Sequence, residues 1–411
     1  MTQSQFDQLL ENHRTGTATK EDEALLESWY LQYGRRPSEL RIKEVELAEI
    51  EMRQYIFKHI QDKPNLYLKN RLKIATWAAA VLLITVGFLY YNTPFFGNSA
   101  HKNAVKQQEN EVLPGKNTAT LTLANGKSIS LSEAKTGIHF EDSKLSYNDH
   151  TSVFKSDSRH KNSENEQNLD EISLSGKIEM LTATTPKGGT YQVVLSDGTK
   201  IWLNAETKIS FPSRFPENER KIVLDGEAYF EVAKVFSKQF KKTKSRALPP
   251  RVPFLVESKG QVVEVLGTHF NINSYQNEAS VRTTLLEGSV KVAVDKFTPS
   301  RAHKPNGEIL VPGQQAVVSA NHTLTIKQAD LEATVAWKNG KFTFDREDLG
   351  SIMRKVSRWY NVEVVFDDNI QDKEITGSVS RFANLSELLT ILERTGRATF
   401  EISGRRVIVT K

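Results

Sequence analysis

Residues 74–91 read IATWAAAVLLITVGFLYY, eighteen consecutive positions without a charge. As a helix rising roughly 1.5 Å per residue the run spans about 27 Å, enough to cross the hydrocarbon core of a bilayer. Thr76 and Thr85 can bond back to their own helix, while Trp77, Tyr90 and Tyr91 stand near its two ends, where amphipathic rings favour headgroups. Thr93-Pro94 then stops it. The run starts too late in the chain for a secretory signal peptide, and it lacks the polar face that a buried core helix keeps. We therefore expect a transmembrane helix over 72–92. Lys58, Lys63, Lys69, Arg71 and Lys73 precede it against Asp62, whereas Lys102 and Lys106 are the basic residues that soon follow. By the positive-inside rule the N-terminus is cytoplasmic and everything from about residue 92 is extracytoplasmic.

That division assigns the remaining composition. The 55 basic and 50 acidic side chains leave a net charge of +5, too small an excess to imply direct nucleic-acid binding. Cysteine is absent, which excludes disulfides, thiol nucleophiles, iron–sulfur clusters and cysteine-ligated zinc.

Residues 1–66 read as a small all-α cytoplasmic unit. Thr19 with Asp22 resembles a capping box, Leu25, Trp29 and Tyr33 recur at helical spacing, and Gly34 and Pro37 break the helix. A second helix from Ser38 puts Val45, Ala48, Met52 and Ile56 on one stripe. So short a unit builds a thin core and leaves apolar surface for a partner, with Leu25, Trp29, Tyr33, Val45 and Met52 as the expected contacts.

Beyond the span, residues 93–180 read as a linker that contains one hairpin and a polar stretch from His139 to Ser175. The segments LTLANGKSISL (Leu121–Leu131) and VVLSDGTKIWL (Val193–Leu203) share one hairpin pattern. A three-residue loop closed by a left-handed Gly198 aligns Tyr191, Val193, Ile201 and Leu203 on one face; a two-residue turn would split them. From 181 to 295 short strand signals predict an all-β sandwich or roll, and 296–335 supplies connecting strands. Lys234 to Arg251 is a basic interruption without strand pattern, read as an exposed loop. Residues 336–411 hold two strand–helix–strand units. Leu349, Ile352, Met353, Val356 and Tyr360 stripe the first helix; Asn384 with Glu387 caps the second, Gly396 ends it, and a terminal hairpin turns at Gly404.

Catalytic templates are silent. The nine histidines include no H-E-x-x-H pair, and neither a Gly-x-Ser-x-Gly elbow nor a phosphate loop occurs. Glu227 and Glu231 are paired carboxylates, but a strand separates them by roughly 13 Å, beyond what glycoside hydrolysis tolerates. His269 lies in an alternating strand pattern and reads as a packed or hydrogen-bonded imidazole. We expect no enzyme and no cofactor or metal.

The stretches YQVVLSDGTKIWLNAETKISFP (Tyr191–Pro212), LDGEAYFEVAK (Leu224–Lys234), VEVLGTHFNINSY (Val263–Tyr275), TTLLEGSVKV (Thr283–Val292) and PGQQA (Pro312–Ala316) resemble the FecR-type periplasmic sensor domain in the form common in Bacteroidota. AWKNGKFTF (Ala336–Phe344) and RWYNVEVVF (Arg358–Phe366) resemble the C-terminal module of those proteins, which is similar to the short N-terminal domain of secretins and TonB-dependent receptors. The resemblance implies a non-catalytic inner-membrane regulator. Its cytoplasmic helices would hold an extracytoplasmic-function sigma factor, and its periplasmic part would receive a signal from the signalling domain of a TonB-dependent outer-membrane receptor. A strand edge near Gly404 is the expected site of receptor β-augmentation, and a site-specific protease acting near 92–116 is a further expected partner. The rival class is a membrane-anchored carbohydrate- or peptidoglycan-binding module.

Overall fold

The computed structural model describes residues 17–33, 111–141, 144–153, 178–237, 251–294 and 307–411, together with Leu9 and Asn12. The expected span over 72–92, the second N-terminal helix with Val45 and Met52, most of the polar stretch and the middle of the basic loop lie outside the described residues. Among the described residues no helix is long and apolar enough to cross a membrane.

Strand signals with period two become two large sheets. One contains β1 (Lys116–Asn117), β4 (Gly137–Glu141), β5 (Lys144–Tyr147), β7 (Gly189–Val194), β8 (Lys200–Leu203), β11 (Glu227–Glu231), β14 (His269–Asn273), β15 (Ser280–Glu287), β18 (Gln314–Ser319) and β19 (Leu324–Gln328). The other contains β2 (Thr120–Thr122), β3 (Ser128–Ser130), β6 (Met180–Thr185), β9 (Thr207–Pro212), β10 (Arg220–Asp225), β12 (Phe254–Ser258), β13 (Gln261–Val265), β16 (Val290–Val294) and β17 (Glu308–Leu310). The neighbour orders are β19, β18, β15, β14, β11, β8, β7, β4, β5, with β1 also on β7, and β17, β16, β13, β12, β10, β9, β6, β2, β3. The chain changes sheet after every one or two strands, so both sheets grow together around a single core.

Alternation decides which side chains enter that core. Ile222 and Leu224 on β10, Tyr191 and Val193 on β7, and Val263 and Val265 on β13 are buried while their neighbours face outward. Phe230 stacks on Phe270 with ring centroids 4.7 Å apart, and Phe140 of one sheet meets Phe211 of the other edge-on at 5.3 Å. Each such ring contributes about 1.5–3 kcal/mol by leaving water.

The hairpin reasoning holds at residue level. Gly198 takes φ +85°, the Leu195 amide donates to the Thr199 carbonyl at 2.8 Å, and Tyr191 faces Leu203 while Val193 faces Ile201. The related loop at Gly126 (φ +82°) aligns Leu121 with Ile129. The polar stretch needs correcting at its start: Gly137–Glu141 and Lys144–Tyr147 form an antiparallel hairpin that buries Ile138, Phe140 and Tyr147. Every second residue there is apolar, a period masked by the polar outer face. Strands of 116–147 and of 308–328 thus belong to the same two sheets as 181–295.

After a short helix α2 (Leu331–Val335), capped by Asp330, the C-terminal module follows its expected order. It comprises β20 (Lys341–Asp348), α3 (Leu349–Tyr360), β21 (Glu363–Phe366), β22 (Glu374–Ser380), α4 (Leu385–Glu393), β23 (Thr399–Ser403) and β24 (Arg406–Thr410). Strand β20 pairs with β22, while β21, β24 and β23 form a three-stranded sheet. All five residues of the α3 stripe are buried, with Leu385, Leu388, Leu389 and Leu392 of α4 packed in the same cluster. Two details differ from expectation. Asn384 stands at the N-cap of α4, but its side chain makes no capping bond. Strand β24 is central and buries Val407 and Val409, so the open edge near Gly404 belongs to β23.

Helix α1 (Lys20–Tyr33) opens with a reciprocal capping box: the Asp22 amide donates to the Thr19 hydroxyl and the Thr19 amide to the Asp22 carboxylate, both at 3.1 Å. The helix lies against β13 and β16, with Leu26 buried, a Lys20–Glu287 ion pair at 2.9 Å and the Ser28 and Ser289 hydroxyls 2.7 Å apart.

Candidate functional site

The densest polar constellation lies where one end of the sandwich meets the C-terminal module. The sandwich offers three turns: 186–188 between β6 and β7, 204–206 between β8 and β9, and 274–279 between β14 and β15. Tyr275 ties two of them together, its hydroxyl donating to the Ala205 carbonyl at 2.6 Å. Burial pushes that phenol well above its ordinary range, so it stays a neutral donor. The module offers the end of α3 and the residue after β22, Arg381.

Five residues close a hydrogen-bonded ring that passes through the main chain of Trp337. Arg381 donates to the Trp337 carbonyl at 2.7 Å and to Asn204 Oδ1 at 2.9 Å. The Trp337 indole N–H donates to Asn271 Oδ1 at 3.2 Å; Asn271 and Asn204 then donate to the two oxygens of Glu227 at 3.1 and 2.8 Å. Arg381 is 3% exposed and stacks 3.8 Å over the Trp359 ring, and among the described residues no carboxylate pairs with it directly. Burial lowers its guanidinium to about 10, with the nearby Tyr275 and Glu227 pulling it back up. The linker is fixed by a further contact, Lys338 lying 4.4 Å over Trp202 and 4.7 Å over Tyr229.

A second clamp sits on Glu278. One carboxylate oxygen accepts from Arg354 at 2.8 and 3.0 Å, the other from Arg358 at 2.6 Å, and Arg358 also donates to Asn277 Oδ1 at 3.0 Å while covering the Tyr275 ring at 4.0 Å. Burial alone would raise the Glu278 carboxyl, but the hydrogen bonds from Arg354 and Arg358 outweigh it and hold it below its usual range. Solvent-accessible clefts of about 480 and 410 Å³ flank this contact, the first beside Trp337 and Arg381, the second beside Arg354 and Arg358.

The residues singled out from the sequence do not converge. Glu227 is consumed by the ring. Glu231 sits across from Lys200 and His269 in the sheet, and His269 Nδ1 is 3.5 Å from Glu287. Among the described residues no group of three His, Asp or Glu is placed to hold a metal. Leu25 is half-buried on α1, whose backbone also carries Trp29 and Tyr33; Val45 and Met52 lie outside the described residues. Sequence reasoning missed Asn204, Asn271, Glu278, Trp337, Arg354, Arg358 and Arg381. Asn204, Asn271, Trp337 and Arg358 fall inside the FecR-like stretches, but no local pattern marks them as partners.

Residues 181–291 match the FecR protein family and residues 341–409 match the FecR C-terminal domain. These two segments are of the FecR type. Two crystal structures of a candidate anti-sigma factor from Parabacteroides distasonis, at 1.65 and 2.50 Å, are similar at 26% identity. They cover 56% of this chain and 98% and 99% of theirs, each with a TM-score of 0.48. No curated protein matches the chain. The sandwich side of the joint (Asn204, Glu227, Asn271, Glu278) falls within the first matched segment, and the module side (Arg354, Arg358, Arg381) falls within the second. The joint is thus where the two family segments meet.

Proposed function

We propose that this FecR-type chain is an anti-sigma factor of the inner membrane, single-pass, with its N-terminus cytoplasmic. It relays a signal from the signalling domain of a TonB-dependent outer-membrane receptor to an extracytoplasmic-function sigma factor held by residues 1–66. The observation that carries the reading is the order of parts on one chain: a capped N-terminal helix, the charge-flanked apolar run 74–91, and both FecR segments beyond it. One helix has no interior in which to propagate a subtle rearrangement, so the message crosses by release, association or displacement of the whole helix.

The test is recovery of a sigma factor with the tagged full-length chain from its native host in mild detergent. Recovery of none, with or without inducing conditions, overturns the reading. Topology has its own test. A crossing at 74–91 places α1 and the sandwich on opposite faces of the bilayer, where Ser28 and Ser289 cannot meet. The chain has no cysteine of its own, so a Ser28→Cys/Ser289→Cys pair reports cleanly. In membrane-inserted protein no disulfide should form; efficient crosslinking there would exclude the crossing.

A further inference from the structure

Residues 111–115 (EVLPG) enter the sandwich just ahead of β1, and the C-terminal module holds them on the way. Val112 is 7% exposed and belongs to the module's own apolar cluster, although more than two hundred residues of chain separate it from that module. Its carbonyl accepts from the Leu385 amide, the first of α4, at 3.1 Å, which satisfies one of the open donors at that helix end. Glu111 accepts from the Ser386 hydroxyl at 3.1 Å. Gly115 lies so close to Trp359 that a Cβ there would sit 2.6 Å from the ring. The Gly188 amide then joins the sandwich to the Arg358 carbonyl at 2.7 Å, and the Lys116 amide joins the strand to Gly188 at 2.8 Å.

The segment therefore passes through a gap whose two sides are the module and the sandwich, and those sides are drawn together by the Glu278 clamp and the Arg381 ring. This joint is polar, is flanked by solvent-accessible clefts, and includes the buried Arg381 guanidinium, which bonds to a carbonyl and an amide oxygen. Such a joint separates more readily than an apolar one, because its groups regain water on opening.

We propose that the C-terminal module is a clasp: docked, it holds residues 111–115 against itself, and its displacement from the sandwich at Glu278 frees that segment while both folded bodies stay intact. The clasp goes beyond the regulatory reading and is read out without any sigma factor.

Hydrogen exchange on the full-length chain in detergent tests it. In the parent protein the Leu385 amide, held by the Val112 carbonyl, should exchange slowly. Glu278→Lys, which repels Arg354 and Arg358, should accelerate it about tenfold or more, with 261–265 in the sandwich and 406–410 in the module unchanged. Gly115→Ala acts on the segment itself and should give the same local acceleration with Glu278 intact. The clasp is overturned if the Leu385 amide exchanges at the parent rate in both variants, or if it accelerates only together with 261–265 and 406–410.

Discussion

At the scale of single residues, burial of charge separates what holds the molecule together from what merely decorates it. Arg220 is 1% exposed, pairs with Asp197 at 2.7 Å and donates to the carbonyls of Ala233 and Val252 at 2.8 and 2.7 Å, with the Phe254 ring 5.3 Å away. It therefore ties the turn at Gly198 to both feet of the basic loop. Arg220→Ala strands a buried carboxylate and two carbonyls and should cost about 3–5 kcal/mol in urea unfolding. Tyr275→Phe, which removes one donor from the buried Ala205 carbonyl, should cost about 1–3 kcal/mol in the same measurement. Little of this was legible beforehand, because a buried arginine is recognised by its acceptors and those of Arg220 are scattered along the chain. The same holds for the joint, where Arg381 and Asn204 meet across 177 positions. What the sequence did convey was local: Glu227, Glu231 and His269 stand on strands as their alternation predicts, Glu227 taken up by the ring and Glu231 paired across from His269.

At the scale of elements, periodicity carried most of the fold. The αL glycines at 126 and 198 set hairpin registers, and the α3 stripe from Leu349 to Tyr360 emerged residue by residue because 3.6-residue spacing against a sheet leaves no alternative face. The strands at 137–147 were missed for a physical reason: their outer face is polar, so three buried side chains among many hydrophilic ones carried too weak a signal. Caps were half-legible, since residue type allows a cap but geometry makes it. Asp348 accepts from the Ser351 amide at 2.7 Å at the start of α3, whereas the Asn384 side chain makes no such bond at α4. Asp348→Ala should therefore destabilise the module by about 1 kcal/mol in thermal unfolding, and Asn384→Ala should lie within about 0.5 kcal/mol of the parent.

For the molecule as a whole, the decisive property is that two folded bodies meet through a carboxylate shared by two arginines, which makes their docking depend on proton concentration. The Glu278 carboxyl titrates below its ordinary 4.5 in the docked state, because hydrogen bonds from Arg354 and Arg358 outweigh burial. A group with a lowered folded pKa contributes stability that is fully present above the unfolded value and is lost as pH falls through the folded one. The other groups facing it leave that sign intact: Glu278 holds Arg354 charged, Asn277 does not titrate, and burial keeps Tyr275 neutral. The nearby Asp348 and Glu347 help to keep Arg354 charged. Docking should thus be insensitive to pH from neutrality down to about 4.5 and weaken below it. Brief pepsin digestion of the full-length chain at a series of acidic pH values reads this as cleavage within 111–115 that rises as pH falls, relative to a pepsin-sensitive unfolded standard. Glu278→Gln removes the titrating group, so its cleavage should already be high at the upper end of the series and change little below it. A parent chain whose 111–115 segment stays uncut until β13 and β24 are also digested would show that acid unfolds the bodies before it parts them, and that the Glu278 contact does not govern their docking.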